Sequence, residues 1–115
     1  MAVAYSAPYT VGTQSGGDVV SYTFSHTNNG NAICIFGYAN DWNYYNFSTI
    51  SITYNGIPVV MDFQLETGDA AYVCGITFGG HLLNAPSGTH DVTLNATELP
   101  ASIYATVISV SGAKT

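Results

Sequence analysis

The sequence predicts an all-β protein: one domain of eight or nine short antiparallel strands, arranged as a β-sandwich, a jelly roll or a small barrel. Three observations carry this. Apolar and polar residues alternate with period two in several stretches, which places one set of side chains on one face of a strand. Turn-forming clusters of Gly, Pro, Asn and Asp separate those stretches at about 8–14-residue intervals. No segment holds a 3.6-residue apolar period long enough for a helix.

The clearest stretch is Ser48–Leu65. Ile50, Ile52 and Tyr54 alternate with Ser51 and Thr53, and Asn55-Gly56 follows. Ile57, Val59, Met61, Phe63 and Leu65 then take every second place. Asn-Gly suits a two-residue type I′ turn, whose central residues both need positive φ. The expectation is a β-hairpin with one apolar face, which must be covered because a lone hairpin is unstable in water.

The other elements follow in chain order. Residues 1–17 read as an N-terminal arm with a short strand near Tyr9–Val11, and residues 18–115 as the sandwich domain. Val20, Tyr22 and Phe24 mark one face of a strand over Asp18–Ser25, and Thr27–Asn31 is a turn cluster. Ala32–Tyr38 is nearly all apolar, as in a central strand covered on both sides. Asn40–Phe47 mixes aromatics with Asn and Asp without either period and reads as a loop. After a turn at Glu66–Asp69, Tyr72, Cys74, Ile76 and Phe78 share one face of a strand over Ala70–Phe78. Gly79-Gly80 is expected to break it before a short strand at His81–Asn84. Ala85-Pro-Ser-Gly88 suits a type I turn. Strands at Thr89–Ala96 and Ser102–Ser111 flank a turn at Glu98–Pro100. In the last strand, Tyr104, Thr106, Ile108 and Val110 oppose Ile103, Ala105 and Val107.

Composition bounds the function. A chain of 115 residues suits one domain that buries roughly two-thirds of its unfolded surface. Hydrophobic residues make up 47% and charged residues only 7%, which argues against disorder. Nine tyrosines, with Thr, Ser, Gly and Asn, stand where charges are usual. The net charge is −6, and Lys114 is the one Lys or Arg. Nucleic acid needs Lys and Arg to neutralise phosphate, and anionic membranes attract basic segments, so neither is an expected partner. No run approaches the ~18 apolar residues of a membrane-spanning helix. The first residues lack the basic start and apolar block of a signal peptide.

No catalytic pattern emerges. The acids Asp18, Asp41, Asp62, Asp69, Asp91, Glu66 and Glu98 fall mostly in turns, where Asp bonds its own backbone. His81 or His90 beside Asp91 has no Gly-x-Ser-x-Gly partner. His26, His81 and His90 lack metal-ligand spacing, and no acidic turn has calcium-loop spacing. Cys34 and Cys74 read as buried free thiols, with a single bridge between sheets as the alternative. Asn46-Phe-Ser48 and Asn95-Ala-Thr97 match the glycosylation triplet, a pattern common by chance. The chain is expected to have no enzymatic activity, no cofactor and no metal. The loop aromatics Trp42, Tyr44, Tyr45 and Phe47 are candidate partner anchors, with a sugar-stacking platform or a plug folded over the end of the sandwich as the alternatives; Tyr5 and Tyr9 of the arm are further candidate anchors.

Two resemblances bear on the fold. Tyr72-Val-Cys74 after Asp69, with Cys34 and Trp42, resembles the tyrosine corner and Cys–Trp–Cys set of immunoglobulin-like sandwiches. The spacings depart from that pattern, which makes it the alternative. Over about residues 48–112, Ile52-Thr-Tyr-Asn-Gly-Ile-Pro-Val59, Leu82-Leu-Asn-Ala-Pro-Ser-Gly-Thr-His-Asp-Val92 and Ser102–Gly112 resemble small β-sandwich modules of tailed bacteriophages. A chain of this style and size is most like a capsid cement, or decoration, protein of jelly-roll type.

That resemblance implies a virion structural protein made in the host cytoplasm and placed on the capsid exterior. It would bind the major capsid protein and act as a homo-oligomer, with a trimer favoured. Few charges suit contacts that survive changes in salt, because screening acts on charges. A carbohydrate-binding or adhesin module of a phage tail or cell surface is the alternative function.

Overall fold

The computed structural model describes residues 4–15, 21–40, 49–68, 73–96 and 102–115. These residues form nine strands: β1 (Ala4–Ser15), β2 (Ser21–Asn28), β3 (Ala32–Asn40), β4 (Ile50–Tyr54), β5 (Ile57–Pro58), β6 (Val60–Gly68), β7 (Val73–Leu83), β8 (Gly88–Ala96) and β9 (Ser102–Ser111). They build a five-stranded sheet, β1-β9-β3-β7-β6, and a four-stranded sheet, β2-β8-β4-β5. All described pairings are antiparallel.

The topology is a jelly roll. β1 pairs with β9, β2 with β8, β3 with β7 and β4 with β5. These four pairs are nested around one tip, the Asn55-Gly56 turn. Asn55 has φ 51° and Gly56 has φ 74°, the two positive values that a type I′ turn requires. Rolling this nested ladder places alternate pairs in opposite sheets, as the doubled Greek key of a jelly roll demands.

The hairpin expected over Ser48–Leu65 is confirmed at its tip and corrected in its second arm. Only Thr53↔Pro58 and Tyr54↔Ile57 pair across the turn. The Val59 amide still donates to the Ile52 carbonyl (2.9 Å), but from Val60 the chain joins β7 in the other sheet. Between Met61 and Phe63 the β6–β7 register shifts, leaving Asp62 as an extra residue. Such a bulge reverses which side chains face inward. Val59 is buried and Met61 packs on the core, whereas Phe63 and Leu65 face solvent. Gln64 now points between the sheets. Its carbonyl accepts the Ile50 amide (2.8 Å) and its amide donates to the Ile50 carbonyl (3.0 Å). One side chain thus supplies the edge of β4 with the bonds a further strand would have made.

Other expectations shift similarly. The strand expected near Tyr9–Val11 belongs to β1, which pairs with β9 from Ala4 to Ser15. Gly79-Gly80 does not break β7, which runs unbroken to Leu83. A Cβ on Gly79 would collide with the Phe63 ring, so that glycine makes room for a cross-strand aromatic. The turn asparagines do more than turn the chain. Asn28, buried, donates to the Ala85 and Pro86 carbonyls (both 3.1 Å), and Asn31 exchanges bonds with Ala113.

The core lies between the sheets. Ile33, Ile35, Ile76, Phe78, Ile103 and Val107 come from one side, and Ile50, Ile52, Tyr54, Val92 and Leu94 from the other. Near one end it holds a polar cluster. The fully buried Tyr54 donates its hydroxyl to the carbonyls of His26 (3.0 Å) and Gly88 (3.1 Å). His26, also buried, bonds through Nε2 to the Ser109 hydroxyl (2.9 Å), which ties the two sheets together. His26 and His90, distant in sequence, are cross-strand partners, and both rings meet Tyr54 edge-on.

This cluster generates two predictions. Tyr54→Phe takes the donor from the buried His26 carbonyl and the partly buried Gly88 carbonyl and is expected to cost about 1–3 kcal/mol, measured by urea unfolding. Burial pushes the His26 imidazole below its ordinary value. The unfolded chain therefore takes up a proton near pH 6.5 that the folded chain refuses. Folding stability is then complete above about pH 6.5 and falls as pH drops below it. Unfolding midpoints taken from pH 8 to pH 5 should show this decline, and His26→Gln should flatten it. A decline of equal size in the variant would assign it to other groups.

Candidate functional site

In a strand, successive side chains point to opposite faces. The inward set of the five-stranded sheet fills the core, and the outward set has no layer above it among the described residues. That outward set is largely apolar. Phe36 on β3 is 46% exposed, Phe63 on β6 42%, Leu65 on β6 60% and Tyr104 on β9 44%. Val60 and Leu83 extend the patch along the strands.

Register groups these residues into rows. Tyr104, Tyr38, Thr77 and Leu65 stand side by side across β9, β3, β7 and β6. Thr106, Phe36, Gly79 and Phe63 form the next row. Between the rows lies an open groove of about 520 Å³, walled by Phe36, Tyr38, Phe63 and Tyr104, with Gly37 in its lining. Most monomeric proteins avoid a contiguous apolar surface of this kind, which makes this face the candidate binding surface.

The third row is Ile108, Cys34, His81 and Val60. Cys34 is exposed and free, so the expectation of a buried thiol is corrected for this residue. It sits on the outward side of β3, which the expectation of cover on both sides had assigned to the interior. Asp62, projecting from the bulge, bonds His81 Nδ1 through Oδ2 at 2.7 Å. This places a cysteine, a histidine and a carboxylate on neighbouring strands, the residue types of a nucleophile, a base and an orienting acid. The electrostatics oppose that chemistry. Burial and, second, the Asp62 carboxylate push the Cys34 thiol above its ordinary value, whereas a reactive cysteine needs its thiolate favoured. Among the described residues, no three His, Cys, Asp or Glu side chains gather closely enough to hold a metal ion.

The opposite surface is different. The outer face of the four-stranded sheet presents Ser21, Thr23, Ser25 and Thr27 from β2, Thr89, Asp91, Thr93 and Asn95 from β8, and Ser51 and Thr53 from β4. Thr23 bonds Thr93 (3.0 Å) and Thr27 bonds Thr89 (2.7 Å), hydroxyl to hydroxyl. Asn95, from one glycosylation triplet, lies on this face. The molecule therefore has one apolar broad face and one hydroxyl-bearing broad face.

Trp42, Tyr44, Tyr45 and Phe47 lie outside the described residues. Tyr5 falls in β1 opposite Val110, and Tyr9 falls within the register shift between Ser6 and Thr10. Sequence reasoning missed the rows of Phe36, Tyr38, Phe63, Leu65 and Tyr104. A signal for three of them, Phe36, Tyr38 and Tyr104, was present. β3 and β9 are apolar on both faces, and a two-layer fold without helices has nothing to cover the second face.

Comparison with known proteins yields no matching family model, no matching curated protein and no matching solved structure.

One prediction concerns Cys34. With Cys74→Ser removing the second thiol, Asp62→Asn should lower the Cys34 pKa and speed its alkylation at neutral pH. A labelling rate unchanged by Asp62→Asn would show that the carboxylate does not act on the thiol.

Proposed function

We propose that this chain is a non-catalytic assembly protein of a virion, a capsid cement protein whose work is to be packed against other subunits. The observation that carries this reading is the outer face of the five-stranded sheet, a broad apolar surface with no cover from its own chain among the described residues. Jelly rolls serve capsids, lectins and cupins alike, so the fold by itself selects no function. The face is what supports this reading. Aromatic anchors around a groove, with the hydrogen-bonded His81 and Asp62 beside them, are the usual composition of an interface core. A sugar site would need several convergent polar side chains, and beyond its tyrosine hydroxyls this groove offers only Thr77 and Thr106.

The two broad faces give the molecule a direction. The apolar face is suited to the assembly, and the hydroxyl face, with Asp91, is suited to water. A net charge of −6 keeps the exposed surface soluble. The sequence resemblance to phage sandwich modules points to the same role, on the outside of a phage head.

The test is attachment to purified heads of the phage that encodes the chain. Saturable co-sedimentation in a fixed ratio to the major capsid protein, with heads that melt at higher temperature, is the expected result. Phe63→Glu should weaken attachment at least ~10-fold, since losing one anchor costs about 2 kcal/mol. Absence of co-sedimentation overturns the proposal, and a saturable glycan response in its place would make the chain an adhesin module.

A further inference from the structure

The hydroxyl-bearing face carries a feature that attachment through the apolar face does not use. Where β4 turns into β5 it holds an open hollow of about 400 Å³, lined by Thr53, Asn55, Thr89, Asp91 and Thr93 together with Gly56 and His90. That volume falls in the range of small-molecule sites, about 300–1,000 Å³. We propose that this hollow binds a neutral sugar.

The chemistry of the lining is the first argument. A sugar hydroxyl both donates and accepts, and hydroxyls stand as neighbours on the ring. The Asp91 carboxylate accepts two protons side by side, and the Asn55 amide supplies two donors and an acceptor. The two residues are held together, because the Asn55 backbone amide donates to the Asp91 carbonyl (2.9 Å). Thr53 and Thr93 form the adjacent row. Thr93 is bonded to Thr23 (3.0 Å) and Thr89 to Thr27 (2.7 Å). When Thr23 and Thr27 donate, the Thr93 and Thr89 protons are free for a ligand. The hollow thus offers donors and acceptors close together, which the apolar groove on the other face does not.

Fixed geometry is the second. The Asn55-Gly56 turn holds both residues at positive φ. His90 Nε2 donates to the Ser87 carbonyl (2.8 Å), which anchors the other end of the lining. Groups held in place before the ligand arrives lose little entropy on binding.

Charge is the third, and it selects the sugar. Among the described residues the Asp91 carboxylate has no ion-pair or hydrogen-bond partner, and the chain carries a net charge of −6. Uronic and sialic acids are repelled. No Phe, Tyr or Trp lines the hollow, so binding rests on hydrogen bonds and a single site is weak, with Kd on the order of 1 mM. If the chain is attached to a head through its apolar face, as proposed above, the hollow stays open on the opposite face. Many copies on one particle then bind a polysaccharide by avidity.

The test is a chemical-shift titration of the isotope-labelled full chain. The probes are the methyl glycosides of glucose, galactose, mannose and N-acetylglucosamine, with glucuronate and methylammonium as charged controls. Saturable shifts at the amides of Thr53, Asn55, Thr89, Asp91 and Thr93 are expected with at least one neutral glycoside, and none with glucuronate. Asp91→Ala should weaken binding at least ~10-fold, as loss of a hydrogen bond to a charged group does, and Thr93→Val by about 5-fold. The inference is overturned if no neutral glycoside moves these amides, if methylammonium saturates them as well as the glycosides do, or if both variants bind like wild type. Attachment is read separately. Asp91→Ala should co-sediment with heads like wild type, and Phe63→Glu should bind glycoside like wild type. Attachment without a glycoside response sinks the sugar site alone, whereas a glycoside response without attachment sinks the capsid reading alone.

Discussion

The structure depends on one nested set of backbone pairings closed at the Asn55-Gly56 turn. Both turn residues must hold positive φ, which costs asparagine little and glycine nothing. Once that tip forms, β3–β7, β2–β8 and β1–β9 follow as successively longer closures around it. The first closure is local and the last joins the two ends of the chain. Loop-closure entropy grows only slowly with length, so the outer pairs can form once the inner ones hold the strands in line. The turn sets the register of β4 against β5.

The Asp62 bulge is the second constraint. It inserts one residue into β6 and so turns Phe63 and Leu65 from core candidates into surface residues. The same residue shift points Gln64 at the edge of β4, where its amide satisfies the Ile50 backbone. One irregularity therefore does two things. It closes the open side of the sandwich and supplies the projecting half of the apolar face. A strand without the bulge would turn Leu65 inward and carry Gln64 away from the edge-facing Ile50 amide and carbonyl.

Much of the fold was legible because alternation, turn chemistry and burial agree over most of the chain. The inward faces of β4, β8 and β9 lie where the period-two pattern put them. What was not legible has physical causes. No local signal marks a bulge when the residues on both sides remain apolar at alternate positions, as Met61, Phe63 and Leu65 do. Gly79-Gly80 looks like a break, because a glycine pair has high backbone freedom. Here the freed space is filled by the Phe63 ring from the next strand, which no local rule anticipates. The partnership of His26 with His90 depends on a pairing between residues far apart in the chain, invisible until the topology is known. The apolar face was half legible: Phe36 and Tyr104 sit in strands apolar on both sides, whereas Phe63 and Leu65 were hidden by the bulge.

β3 carries the last step. A run such as Ala-Ile-Cys-Ile-Phe-Gly-Tyr normally belongs to a strand with a layer on each side. A jelly roll has two layers, so an inner strand of either sheet has cover on one side only. Ile33 and Ile35 meet the opposite sheet, while Cys34 and Phe36 lie exposed on the outer side. The residue pattern is that of a three-layer protein, and the described chain supplies two. Under the proposed assembly role the missing layer comes from a partner, and Phe36 stands where that partner packs as Ile35 stands where the opposite sheet packs.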